Sequence, residues 1–79
     1  RQELWVQFAD KETFFTDEND LKAILTSYPG KNPVVIYCKA ERAVNRLGSS
    51  FMVSDDENLI FDLEKRYGKE NMRIRSLGI

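Results

Sequence analysis

Hydrophobic positions along this chain recur with two different periods, and each period predicts a different kind of element. Residues 4–8 alternate as an extended chain does, with Leu4, Val6 and Phe8 on one side, and therefore predict a β-strand. Residues 33–38 form a continuous apolar run rich in β-branched side chains, which predicts a strand covered on both faces.

Two segments place apolar side chains three or four positions apart, and this spacing predicts helices with one buried stripe each. The positions are Leu21, Ile24, Leu25 and Tyr28 in the first helix and Leu59, Ile60, Leu63 and Tyr67 in the second. The core is expected to combine helix and strand side chains, with these six largely buried: Leu21, Leu25, Val35, Ile36, Leu59 and Leu63.

Capping signals predict where both helices begin and end. Thr16 or Asp17 is the expected N-cap of the first helix, and the Pro-Gly pair at 29–30 is expected to end it. Ser54 and Glu57 make a capping box before the second helix, with Ser54 at the N-cap and Glu57 at the third helical position.

The remaining patterns complete an order of strand, helix, strand, strand, helix, strand. Residues 43–47 and 51–53 predict short strands, Gly68 is the expected glycine just beyond the second helix, and residues 72–75 alternate like a half-exposed strand. This order predicts an α+β domain, a small mixed sheet packed by two helices. Two arrangements stay open: a ferredoxin-like fold, which places its second strand at an edge, and a truncated Rossmann-like sheet with residues 34–37 in its centre.

Length and composition limit the kind of protein this is. With 79 residues the chain is expected to form one domain, residues 1–79, whose core is too thin for a deep catalytic cleft. Hydrophobic residues make up 42% and charged residues 32%, which is a globular composition. No apolar run is long enough to cross a membrane, and the start at Arg1 rather than Met favours a fragment of a longer chain.

Residues that carry chemistry are few. There is no histidine, so the commonest general base is missing, and a single cysteine excludes an internal disulfide and an ordinary zinc site. Cys38 ends an apolar strand and is predicted to be a small core residue of a protein in a reducing compartment. The acidic groups at 17–20 and 55–57 are predicted to complement helix N-termini rather than to bind metal. The sequence therefore predicts no catalytic, metal or cofactor site.

Three aromatic residues are candidates for contact with a partner. Trp5 lies on the less apolar side of the first strand, and Phe14 and Phe15 occupy the expected loop before the first helix. One interpretation makes them local packing residues, with Phe15 stapling the helix start and Trp5 filling a second small core. The other makes them part of a docking surface, with Trp5 and Phe14 partly exposed. Arg42 and Arg46 then lie on a separate polar surface and tune the association rate.

The C-terminal segment is basic and offers a second candidate surface. Its basic residues are Lys65, Arg66, Lys69, Arg73 and Arg75. Part of this charge complements the C-terminus of the second helix, and part is available to nucleic acid phosphates. The net charge is −1, and Tyr67 is the one aromatic residue among these cations, so the repeated interleaving of a single-strand binding site is missing. Contact with DNA is therefore a secondary expectation.

The order of these motifs resembles a known family. A Leu-Trp-Val-Gln-Phe strand comes first, followed by Tyr-Pro-Gly at 28–30 and Asn-Pro-Val-Val-Ile-Tyr at 32–37. Ser-Phe-Met-Val at 50–53 and Tyr-Gly-Lys-Glu-Asn-Met at 67–72 complete the pattern. From residue 4 to residue 75, this order is similar to the extreme C-terminal domain of the bacterial replicative DNA polymerase III alpha subunit.

The resemblance implies a role but no catalytic site. Tyr67, Met72 and the Phe-Met pair at 51–52 stand where the family usually has leucine, valine and a Leu-Trp pair, and these changes are conservative. In that family the catalytic palm lies far upstream, an oligonucleotide-binding barrel precedes this domain, and the domain attaches to the tau subunit of the clamp loader.

The resemblance therefore leads us to expect a non-catalytic protein-interaction module in the bacterial cytoplasm. Its expected partners are the clamp-loader tau subunit and the rest of the polymerase chain. Two rival expectations remain: a nucleic-acid-binding accessory module that uses residues 65–75, and a small ferredoxin-like regulatory or ligand-binding domain.

Overall fold

The pairing of four strands in one sheet sets the architecture of the domain. The computed structural model describes residues 2–76, and its elements are β1 (Gln2–Phe8), α1 (Lys11–Thr26), β2 (Pro29–Asn32), β3 (Val34–Cys38), β4 (Ala43–Arg46), α2 (Glu57–Tyr67) and β5 (Met72–Ser76). The strand order is β4-β3-β1-β5, and β2 lies outside this sheet, where Pro29 and Asn32 bridge to Val53. The α+β class predicted from the sequence is therefore confirmed.

Strand directions decide between the two predicted arrangements. β1 runs parallel to β3 in a register that pairs Leu4 with Val34, while β4 and β5 pair antiparallel at the two edges. β1, α1 and β3 thus form a βαβ unit whose strands are direct neighbours. A ferredoxin-like fold would split this unit with another strand, so that arrangement is wrong. Residues 34–37 lie in an interior strand, as the truncated Rossmann-like alternative predicts, but the two antiparallel edges make the sheet mixed.

The hydrophobic core lies between one face of the sheet and both helices. Leu4, Val6 and Phe8 of β1 pack there with alternate residues of β3 and with leucines of α1 and α2. All six predicted core residues are buried, five of them in this layer and Val35 on the opposite face of the sheet: Leu21, Leu25, Val35, Ile36, Leu59 and Leu63. Burial of each such side chain contributes roughly 1.5–3 kcal/mol before the entropy cost of ordering it, so this layer supplies most of the stabilisation.

α1 begins earlier than the capping pattern predicts. Asp10 has an extended conformation and is the N-cap, and its Oδ1 accepts a 2.7 Å hydrogen bond from the Thr13 amide. The predicted caps Thr16 and Asp17 lie inside the helix, where the Thr16 hydroxyl donates to a carbonyl one turn earlier at 2.9 Å. Several residues of this segment suit an N-cap, and burial of Phe14 in the first turn favours the earliest of them.

α2 also begins at a different cap. Asp56 is the N-cap, and its Oδ1 accepts a 2.8 Å hydrogen bond from the amide two residues further on. Ser54 stays outside the helix because its amide donates to the Tyr28 carbonyl at 2.9 Å. Glu57 is consequently the first helical residue, so the predicted capping box is wrong. At the other end, Gly68 caps the helix with a φ of 90°, as predicted for a glycine just beyond it.

The Pro-Gly pair that follows α1 lies in a strand rather than in a simple turn. A Cβ on Gly30 would lie 2.3 Å from the backbone nitrogen of Ser54, so only glycine allows the two backbones to approach this closely. Residues 51–53, predicted as a strand, instead contribute to a single 3-10 turn (Ser49–Phe51) and to the isolated bridge at Val53. Pairing with β2 therefore replaces the expected extra strand of the sheet.

The two candidate caps of α2 are expected to differ in their contribution to stability. Asp56→Ala is expected to lower the free energy of unfolding by about 1 kcal/mol, because an amide of the first turn loses its acceptor. Ser54→Ala is expected to change it by less than about 0.5 kcal/mol. Urea denaturation followed by circular dichroism measures both values. A larger loss for Ser54→Ala than for Asp56→Ala would show that the helix begins where the sequence pattern places it.

Candidate partner-binding surface

Within residues 2–76 one face of the sheet carries no helix, and its side chains form the candidate site. Residues directly opposite each other in neighbouring strands share a face of the sheet. The register places Trp5 opposite both Val35 and Arg73, on the face away from α1 and α2. Applying the same rule across all four strands, we define the open face as Glu3, Trp5, Gln7, Val35, Tyr37, Val44, Arg46, Arg73 and Arg75.

Glu3 organises the centre of the open face. Its side chain is buried, and its carboxylate accepts hydrogen bonds from Trp5 Nε1 at 2.7 Å and from Arg46 Nη1 at 2.6 Å. The Arg46 guanidinium, and after it the indole N–H, hold the pKa of Glu3 below its usual value, so the carboxylate stays charged although it is buried. Trp5 and Arg46 are therefore held in fixed orientations by charge-assisted hydrogen bonds.

Two arginines of β5 flank Trp5. The guanidinium carbon of Arg75 lies 5.4 Å from the centre of the Trp5 ring, which is a cation–π distance. Arg73 lies directly opposite Trp5 in the pairing of β5 with β1. Within residues 2–76 neither Arg73 nor Arg75 forms an ion pair, whereas Arg46 is paired with Glu3.

A groove of about 480 Å³ runs along the open face beside Trp5. Tyr37 of β3 lines it together with the two arginines of β5, and Glu70 lines it from the turn that precedes β5. Trp5 and Tyr37 are both half-buried, so part of each ring remains available to a partner. The groove thus presents aromatic rings and cations on one surface.

Comparison with known protein families, characterised proteins and solved structures found no match to this chain. The resemblance to the polymerase alpha subunit therefore rests on the order and spacing of the sequence motifs. A small mixed sheet with two helices does not by itself indicate a function, since such folds serve many.

The residues predicted to contact a partner do not form one surface. Trp5 and Arg46 lie together on the open face, joined through Glu3. Phe15 is 62% exposed on α1, so it neither staples the helix start nor belongs to the open face. Arg42 lies in the exposed turn before β4, also outside the open face. Arg46 is therefore part of the same surface as Trp5 and not of a separate one.

The prediction that Phe14 is partly exposed is wrong. Phe14 is 1% exposed, and the centre of its ring lies 5.3 Å from that of Phe8 in the core. Because α1 begins at Lys11, Phe14 and Phe15 are successive helical residues that point about 100° apart. One of them therefore packs against the sheet while the other faces solvent.

The basic residues of the C-terminal segment fall into two groups. Arg73 and Arg75 lie on the open face, whereas Lys65, Arg66 and Lys69 belong to the end of α2 and the turn after it. The predicted basic patch is therefore divided between different parts of the molecule. Its β5 half lies beside Trp5, whereas Arg66 lies 5.6 Å from the centre of the Tyr67 ring, outside the open face.

Arg66 joins the two helices. Its Nη2 lies 2.5 Å from Asp17 Oδ1 and 3.1 Å from Asp20 Oδ2, and the Tyr67 hydroxyl also donates to Asp17. The hydrogen bond from Arg66 holds the pKa of Asp17 below its usual value, while burial and the bond to Asp17 raise the pKa of Tyr67. Asp17 and Asp20 thus link α1 to α2, while Glu18 pairs with Lys22 within α1. The prediction that the acidic residues at 17–20 complement the start of α1 is wrong, because α1 begins at Lys11.

Sequence patterns alone do not identify Glu3, Tyr37 and Val44 as members of the open face. Tyr37 lies in the apolar run that predicts a strand covered on both faces, and the helices cover only one of them. One sequence feature does indicate this face: the outward side of β1 combines the aromatic Trp5 with the polar Gln7, as a half-exposed side does. Tyr37 of β3 lies directly opposite Gln7 and is therefore half-exposed on the same face.

The thiol of Cys38 and possible clusters of metal ligands are the remaining candidates for chemistry. Cys38 is buried, and burial raises the pKa of its thiol, which disfavours the reactive thiolate. Across residues 2–76, no group of three or more His, Cys, Asp or Glu side chains could hold a metal ion. In the same part of the chain, neither helix has the length and apolar character needed to cross a membrane.

Proposed function

We propose that this domain is a non-catalytic protein-interaction module of a replicative DNA polymerase alpha subunit. In this role it tethers the polymerase to the tau subunit of the clamp loader in the bacterial cytoplasm. The motif order between residues 4 and 75 supports the assignment to a polymerase. The observation that carries the proposed mode of action is that buried Glu3 holds Trp5 on a sheet face that neither α1 nor α2 covers.

The composition of the open face suits a protein partner. Tryptophan, tyrosine and arginine are the residues that most often dominate the energetics of protein interfaces. The open face combines Trp5 and Tyr37 with arginines from β4 and β5. Glu3 orients Trp5 and Arg46 before a partner arrives, which reduces the entropy lost on binding. A preorganised surface of this kind is what a tether requires.

Trp5→Ala is expected to weaken binding to tau about thirtyfold, the loss of roughly 2 kcal/mol that is typical of a dominant interface residue. Tyr37→Ala is expected to weaken it by a smaller factor. Phe15→Ala is the matched control, because this aromatic side chain is exposed on α1 and lies outside the open face. The Phe15→Ala variant should bind tau as tightly as the parent. Isothermal titration calorimetry with tau measures all three, after circular dichroism has verified folding.

Two results would count against this proposal in different ways. If Trp5→Ala and Tyr37→Ala both fold and bind tau as tightly as the parent, the docking surface lies elsewhere on the domain. If the parent itself does not bind tau, the tether is rejected regardless of the surface involved.

A second candidate, binding of single-stranded nucleic acid, is favoured by one observation. Pairing of β5 with β1 brings Trp5 beside Arg73 and Arg75, although these residues are far apart in sequence. Aromatic rings and arginines on one surface are the elements of a single-strand binding site. The other basic residues between 65 and 75 lie off the open face, so only part of that segment supports this candidate. The remaining alternative, a regulatory or ligand-binding domain, is based on a ferredoxin-like fold, and the strand order of this sheet differs from that fold.

A further inference from the structure

We infer that the open face docks an acidic segment of its protein partner. Carboxylates of that segment bind Arg73 and Arg75, and an apolar side chain of the segment lies in the groove beside Tyr37. The inference rests on the proposed function in one respect, namely that the partner is a protein. It adds the chemistry by which the partner is recognised.

Two arginines of the open face that form no ion pair are the first observation. Arg46 contacts Glu3 at 2.6 Å, and Arg66 contacts carboxylates of α1. In the part of the chain that the structure describes, Arg73 and Arg75 are exposed and form no ion pair, although Glu3 lies directly opposite Arg75 in the sheet. Since complementary charge aligns and selects partners, two guanidinium groups in this state favour an anionic ligand.

The spacing of the two arginines suits an extended peptide. Both belong to β5, in which residues two positions apart point to the same side at a separation of about 7 Å. β5 is an edge strand of the sheet, so a segment that lies along it in an extended form repeats its side chains at the same interval. Alternate acidic residues of such a segment meet Arg73 and Arg75 one to one. Each pair forms the two-pronged hydrogen bond that a guanidinium makes with a carboxylate.

Arg75 is preorganised for this contact. Its guanidinium lies 5.4 Å from the centre of the Trp5 ring, and Trp5 is held in turn by Glu3. A guanidinium held against an aromatic ring by a cation–π contact still has N–H groups available to a carboxylate. The buried Glu3 therefore acts at a distance as a positioning residue for the arginine.

The groove supplies the apolar part of the recognition. Its volume is about 480 Å³, and Tyr37 lines it with one half-buried ring. Val44, which pairs with Tyr37 across β3 and β4, is 55% exposed and continues the apolar surface. Covering this surface with an apolar side chain removes it from water, so the segment combines acidic residues with an apolar one.

Two features favour an acidic peptide over a nucleic acid. The chain has a net charge of −1 and therefore lacks the general attraction on which binding of a long polyanion depends, whereas two carboxylates need only the two arginines. Arg75 already lies over the ring of Trp5, on which a base would have to stack.

Fluorescence anisotropy with three probes tests the inference on the 79-residue chain. The probes are a glutamate-rich peptide with a central leucine, the same peptide with glutamine in place of every glutamate, and oligothymidylate. The parent is expected to bind the glutamate peptide about tenfold or more tightly than the glutamine peptide, and added salt is expected to weaken that binding.

Two double variants with the same change in net charge separate a specific site from general attraction. Arg73→Gln combined with Arg75→Gln is expected to weaken binding of the glutamate peptide about tenfold. Lys31→Gln combined with Lys65→Gln removes the same charge from exposed positions outside the open face and is expected to leave the affinity unchanged. Circular dichroism verifies that both variants fold. Equal losses in the two double variants would overturn the inference.

Binding of oligothymidylate and of tau distinguishes the remaining outcomes. If oligothymidylate binds more tightly than the glutamate peptide and requires Arg73 and Arg75, the open face is a nucleic-acid site and the inference is wrong. If tau binds the parent and the double arginine variant equally well, the inference fails while the proposed tether stands. If the glutamate peptide requires both arginines but tau does not bind the parent, the acidic-segment inference stands and the tau tether fails.

Discussion

Replacing Phe14 with alanine is expected to lower the free energy of unfolding by about 3–5 kcal/mol, while the same change at Phe15 costs less than about 0.5 kcal/mol. Phe14 is 1% exposed and packs with its ring centre 5.3 Å from that of Phe8, whereas Phe15 is 62% exposed. The alanine at position 14 leaves a cavity between α1 and β1, because the surrounding side chains relax only in part. At position 15 the lost side chain is replaced by water.

Urea denaturation of the two variants side by side measures this difference. A domain of this size has a total stability of roughly 4–12 kcal/mol, so the loss at Phe14 is a large share of it. The adjacent Phe15 is a stringent control, because it has the same chemistry and lies in the same helix. Similar losses at both positions would mean that α1 has a different rotation relative to the sheet, and that Phe14 remains a candidate for partner contact.

The second large effect is expected at Leu63. Leu63→Ala is expected to lower the free energy of unfolding by about 2–5 kcal/mol, because the side chain is fully buried between α2 and the sheet. In a small domain such a loss corresponds to a fall of roughly 10 °C or more in Tm. Phe61→Ala is the control on the same helix, since Phe61 is 62% exposed, and its Tm should stay close to that of the parent.

Differential scanning calorimetry of the two α2 variants gives both values of Tm. A fall at Phe61 equal to that at Leu63 would indicate that the outer side of α2 is also packed in solution, for example against a second copy of the chain. A Tm unchanged by Leu63→Ala would contradict the buried stripe that both the periodicity and the structure assign to α2.

Local periodicity is sufficient to predict the element order and the buried side of most elements. Alternation places Leu4, Val6 and Phe8 on one side of β1, and helical spacing places Leu21 and Leu63 on buried stripes, all in agreement with the structure. These assignments depend only on backbone geometry, because a period of two or of 3.6 residues decides which side chains share a face.

Helix starts are less predictable from the sequence, for an identifiable reason. Asp10, Thr16 and Asp17 all have side chains that can cap a helix, so local preference alone does not choose among them. The choice depends on long-range contacts: Phe14 enters the core, and in the second helix the backbone of Ser54 is engaged by Tyr28. A capping motif therefore predicts the start of a helix poorly when tertiary contacts engage the residues around it.

The candidate site could be predicted only in part. Trp5 stands out in the sequence, because it is a large aromatic residue on the less apolar side of a strand. Its neighbours come from other strands, and the Glu3–Arg46 contact spans 43 positions of the chain. Arg73 is far from Trp5 in the sequence, so no local pattern indicates that the two share a surface. The pairing of β5 with β1 nevertheless places Arg73 directly opposite Trp5.

The sequence by itself determined which side chains each strand and helix presents together, and hence the α+β class, the core leucines and the outward position of Trp5. Only the tertiary structure decided that both helices pack on one face of the sheet, which leaves the other face open, and that Arg46, Arg73 and Arg75 gather there around Trp5. The physical reason is that periodicity is a property of the local backbone. Strand order and the side on which a helix packs are set by contacts between distant segments, which no local pattern contains.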